Sequence, residues 1–138
     1  MDLDTLHILT ELKYQISMVG LADILARETK LRSEIQQLRD QAFEAQALPA
    51  SPHSMQNIGA DVIWLRWVSQ TTQKLNIELA QVLARKETLL ADHRRALGRK
   101  SVAGTLADDA RRNTKAMREA AALKKVIEVD LMRRLGDQ

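Results

Sequence analysis

Apolar side chains recur every three or four residues over almost the whole chain, the mark of helices that each bury one stripe. The first stripe falls at Leu9, Leu12, Ile16 and Val19. After Gly20 it shifts by about one residue and resumes at Leu21, Ile24, Leu31, Ile35, Leu38, Ala42 and Ala45. Within it Ile24, Leu31, Leu38 and Ala45 form a strict heptad, so the shift reads as a stutter or skip in a coiled coil. The spacing predicts one helix over 3–47, capped by Asp2 or Asp4. At 1.5 Å per residue it would run roughly 65–70 Å, too long for a compact domain of this size.

Both prolines, Pro49 and Pro52, stand in the next stretch with Ser and Asn beside them, which predicts a loop over 48–58. This segment is either a plain surface turn or a docking loop. From Ala60 the stripe returns as Leu65, Val68, Thr72, Leu75, Leu79, Val82, Leu89 and His93; Lys86 interrupts it, and Leu83, Leu90 and Leu97 widen it. A short loop between two helices makes them antiparallel.

Residues 98–104 carry two glycines, Gly98 and Gly104, each costing about 1 kcal/mol inside a helix. The stripe then resumes at Leu106, Ala110, Asn113, Met117, Ala120, Lys124, Ile127 and Leu131. Thr105-Leu106-Ala107-Asp108 has the form of a capping box with Asp for Glu, which would start a third helix. The favoured reading is an all-α, antiparallel two-helix coiled-coil hairpin, one elongated domain over 1–138. Its second helix, 59–135, is the longer and has a soft spot near 98–104. A three-helix bundle is the alternative.

Composition agrees with narrow seams. Aromatics are only 3% of the 138 residues, too few for a compact core. There is no Cys, which excludes disulfides and thiolate metal sites. No apolar run approaches the ~20 residues of a membrane span, and the acidic start, Met1-Asp2-Leu3-Asp4, is unlike a signal peptide. The chain reads as soluble and cytoplasmic. Its net charge of +3 is uneven: residues 1–47 carry 5 basic and 8 acidic groups, residues 98–138 carry 10 and 6. An acidic first helix against a more basic return is the expected arrangement.

Catalytic and cofactor motifs are missing. There is no glycine-rich phosphate loop, HExxH or nucleophile elbow. His7 and Glu11 stand at i, i+4, but two ligands on a helix make a weak metal site. Asp108 and Asp109 point about 100° apart on a helix and read as a solvated face. The expectation is no enzyme, no metal, no cofactor and no small-molecule substrate. The pairs Arg94-Arg95, Arg99-Lys100, Arg111-Arg112, Lys124-Lys125 and Arg133-Arg134 raise a nucleic-acid reading, which the interspersed acids and missing aromatics oppose. They read instead as solvated faces or as a basic surface for an acidic protein.

Trp64 and Trp67 supply two of four aromatics, one helical turn apart with Arg66 between them. Either they plug the seam near the turn or they form a protein-docking patch, for which Trp and Arg are typical anchors.

The run Leu97-Gly98-Arg99-Lys100-Ser101-Val102-Ala103-Gly104-Thr105-Leu106-Ala107-Asp108-Asp109-Ala110-Arg111, continued by Lys115-Ala116-Met117-Arg118-Glu119, resembles the FliJ family and its YscO-type relatives. These are small coiled coils of flagellar and other type III secretion systems. Trp64-Leu65-Arg66-Trp67-Val68, then Leu75 and Leu79, is similar to the start of that family's second helix. The likeness covers nearly the whole chain in helix order and length.

The resemblance implies a hairpin like the stalk subunit of rotary ATPases. Its paired ends would enter a hexameric export ATPase and its turn-proximal surface would meet the export gate, with chaperones as further partners. It would act in the cytoplasm or at the cytoplasmic face of the inner membrane. On this chain the ATPase candidates are Lys13 and Tyr14 on the first helix, and Arg111, Arg112, Arg118, Lys124 and Lys125 on the tail. The gate candidates are Trp64, Trp67 and Leu75, opposite Leu38, Ala42 and Phe43. Gly98 and Gly104 depart from a stiff stalk, and Trp replaces the family's usual Tyr and Phe near the turn. A homo-oligomeric scaffold or adaptor with no secretion role is the competing reading, and a nucleic-acid binder the third.

Overall fold

A computed structural model describes residues 2–47 and 55–138. The fold is an all-α helical hairpin of two helices packed against each other: α1, Leu3–Ala47, and the longer α2, Met55–Gly136. The predicted loop lies outside the described residues except for 55–58, which already belong to α2. The second helix therefore begins four residues before the expected 59.

Asp2 occupies the cap position of α1: its carbonyl accepts the Leu6 N–H at 3.0 Å, the first bond of the helical ladder. Asp4 sits in the first turn, where the helix dipole favours an anion. Residues 98–104 are helical, so the three-helix alternative does not hold. The expected capping box fails for the same reason: Thr105 turns its hydroxyl back to the Ser101 carbonyl at 3.1 Å, as a mid-helix threonine does.

The described residues form two units, each an antiparallel pair of helical stretches: unit 1 over 1–15 and 95–138, unit 2 over 16–94. In unit 2 the seam is aliphatic and centres on Leu31, fully buried, with Ile35 and Val68. Lys86, which breaks the apolar pattern, has a physical reason there. Its ammonium donates to Glu28 at 2.9 Å, while Arg32 donates to the same carboxylate at 3.0 Å. The hydrogen bonds from Lys86 and then Arg32, larger than the opposing desolvation, hold the Glu28 carboxyl below the usual range. A second cross-helix pair, Arg27 to Glu78 at 2.7 Å, is about half exposed and contributes little. Ser17 and His93 meet across the seam at 3.0 Å.

In unit 1 the seam is made of small and polar groups. Ala103 and Ala107 are 3% and 1% exposed and face a stretch of α1 in which Thr10 is buried. Gly104 is small for a reason: a Cβ there would stand 3.2 Å from the His7 ring. The glycine that read as a soft spot is the seat of a cross-helix side chain. Gly98 has no such neighbour.

This seam corrects the first stripe. Leu9, Leu12, Ile16 and Val19 are 39%, 51%, 70% and 62% exposed. The covered positions of α1 are instead Leu3, His7, Thr10, Tyr14, Ser17, Leu21, Ile24, Glu28, Leu31, Ile35, Leu38 and Ala42, all buried or half-buried. They alternate steps of four and three without a break, so the heptad passes through Gly20 with no stutter. Ala45, the last member of the expected heptad, is exposed.

Candidate protein-binding surfaces

Near the start of α2, Trp64 is half-buried and Trp67 is 52% exposed. Val68, one turn beyond Trp64, is the residue that closes the seam. The two indoles thus do different things: one leans on the hairpin, the other stands in solvent. Leu75, Leu38 and Ala42 are half-buried, whereas Phe43 is 74% exposed. Ile63, at 72%, adds to the exposed apolar side chains of this stretch. These exposed large apolar groups make the stretch a candidate protein-binding surface.

In unit 1, Tyr14 is half-buried beneath Lys100, whose ammonium lies 4.4 Å from the ring centroid. The same ammonium is 3.8 Å from Glu11. Lys100 is therefore engaged in the hairpin, and its neighbour Arg99 faces out. Lys13 is exposed and has no ion pair among the described residues. Arg111 reaches Asp4 across the helices at 3.5 Å and Asp108 on its own helix at 3.4 Å. Arg112 lies 3.9 Å from Asp109. Arg111 and Arg118 share a cleft of about 420 Å³ with Asp2 and Asp4, so the structure brings them together at the α1 start. Lys124 and Lys125 stand farther along α2 and take no part in that cleft.

Every residue from 111 to 138 is exposed, although 111–136 is helical. Met117, Leu123, Val126, Ile127, Leu131 and Leu135 are 51–73% exposed along it. Successive residues turn by about 100°, which sets Leu131 and Val126 on nearly opposite sides. The apolar groups thus surround this helix rather than line one face. Basic groups accompany them: residues 111–138 hold 8 Lys and Arg against 4 Asp and Glu. The stripe expected over Asn113, Met117, Ala120, Lys124, Ile127 and Leu131 is therefore not a seam here: every member is exposed, and Leu123, Val126 and Leu135 are exposed beside it. The number of apolar side chains on a stretch of α2 that extends beyond the length of α1 was the available signal.

Among the described residues no group of three His, Asp or Glu side chains is placed to hold a metal ion, and no helix is long and apolar enough to cross a membrane. No family model, curated protein or solved structure matches the chain.

Proposed function

We propose that the chain is a protein-binding coiled coil of a flagellar or related type III export apparatus. It acts in the cytoplasm or at the cytoplasmic face of the inner membrane as a stalk-like partner of the hexameric export ATPase, with the export gate and chaperones as further partners. The observation that carries the reading is the fully exposed segment 111–138, helical to 136, apolar on several sides and rich in cations. A helix apolar all round is stable when something encloses it. A ring-shaped partner with an acidic, partly apolar bore meets both requirements. Trp67 and Phe43, exposed in unit 2, are the groups offered to the gate.

The test is co-purification with the export ATPase of the same source organism, with ATP hydrolysis followed with and without the chain. Binding with faster hydrolysis supports the reading. Absence of binding, with a stable self-oligomer in sedimentation, rejects it in favour of the homo-oligomeric scaffold. That second reading draws on the same exposed side chains, which a second copy would cover equally well.

A further inference from the structure

Beside the seam of unit 1 the two helices leave an apolar groove of about 530 Å³, open to solvent. Its floor is Ala103 and Thr10, both buried. The Thr10 hydroxyl is already spent on the His7 carbonyl at 2.8 Å, so it asks nothing of an occupant. Val102 and Leu106, 60% and 45% exposed, form one wall. Gly98 leaves one end open: nothing lies within 4 Å of where its Cβ would stand. From Gly98 to Leu106 the groove runs roughly 12 Å, at 1.5 Å per residue. Another helix presents apolar residues at i, i+4 and i+7 over about that length.

The charge is not spread evenly. Arg95 and Arg99 line the groove at the Gly98 end. Arg95 is engaged elsewhere in the molecule, while Arg99 has no ion pair among the described residues. Lys13, three residues beyond Thr10 on α1, adds an exposed cation on that side. At the opposite end Asp109, three residues past Leu106, is occupied by Arg112 at 3.9 Å.

We propose that this groove docks an amphipathic helix of another protein, with carboxylates at the end of its apolar stripe. Leu or Ile side chains fill the space between Leu6 and Val102. A Glu one turn beyond them pairs with Arg99, a charge-assisted bond that fixes the direction of the incoming helix. The missing side chain at 98 lets that helix come close at the charged end. The exposed end of a second copy fits poorly, because its 8 basic groups against 4 acidic would meet Arg99 as like charge. The groove is distinct from the 111–138 segment, so its failure would leave the proposed function standing.

The test is titration of the isotope-labelled full chain with a synthetic helical peptide carrying Leu at i, i+4 and i+7 and Glu at one end, followed by amide resonances. Shifts are expected at 98–106 and around Leu6 and Thr10, with binding about tenfold weaker when Lys replaces Glu. Gly98→Leu fills the open end and should weaken binding by at least about tenfold with helicity retained. Arg99→Glu should act likewise, and Arg99→Lys should keep most of the affinity. The proposal fails if residues 98–106 do not respond at about 1 mM peptide, if the Lys peptide binds equally, or if Gly98→Leu changes nothing. It also fails if the chain self-associates and Gly98→Leu abolishes that, for then a second copy fills the groove.

Discussion

Unit 2 and unit 1 solve the same problem, one helix against another, with different materials. In unit 2 the seam holds branched aliphatics, Leu31, Ile35 and Val68, bracketed by the Arg32–Glu28–Lys86 cluster. In unit 1 it holds Ala103, Ala107 and Gly104 against His7 and Thr10. The buried side chains of the first are the larger apolar ones, and buried apolar area is the main source of stability. The second gains by close approach and has little to lose to water. Unit 1 is therefore expected to open first, as a segment with few buried apolar contacts does.

The sharpest way to break the contrast is at Leu31. Leu31→Ala removes the fully buried side chain and should cost about 2–5 kcal/mol, read as a lower denaturation midpoint. If it costs no more than a surface substitution, unit 2 is not the stronger pair. Next is Gly104→Val. With a Cβ meeting His7 at 3.2 Å, the ring must move, at about 1–3 kcal/mol. Amide exchange should speed up in 1–15 and 95–110 and stay unchanged at Leu31. A uniform loss would mean that the two seams unfold as one.

A smaller effect separates the units by pH. The folded-state carboxyl of Glu28 lies below its unfolded value, so its contribution is present above the usual carboxylate range and fades as pH falls through the lowered pKa. Mild acid should thus weaken unit 2 in the wild type, and Glu28→Gln should flatten that dependence in a denaturation series. The smallest expected change is Gly98→Ala, which meets nothing and should stabilise by about 0.5–1 kcal/mol. It contrasts with Gly104→Val only if the two glycines differ as described; equal effects would erase the distinction.

The hairpin itself was legible in the sequence. Helix α1 begins and ends where the prolines and Asp2 place it, and Leu31, Leu38 and Val68 read as seam because large aliphatics at heptad spacing have few other uses. Unit 1 was misread for the converse reason. Its seam positions, His7, Thr10 and Tyr14, look like surface, and the exposed Leu9 and Leu12 look like core. Periodicity reports where apolar residues lie, and fails where the hairpin packs on small residues while apolar ones face outward. The groove beside Ala103 was hidden too, since it needs Leu6 and Thr10 from the distant end of the chain. Lys86 was visible as an interruption, but its partner Glu28 was not.

The seat of His7 on Gly104 has an evolutionary corollary. Two positions far apart in the chain share one small volume, so neither is free to drift alone. A larger residue at 104 is tolerable only with a smaller one at 7. Randomising both codons together and selecting for folded protein should return pairs whose sizes vary inversely, and Gly98, which seats nothing, should show no such bookkeeping with any site on α1.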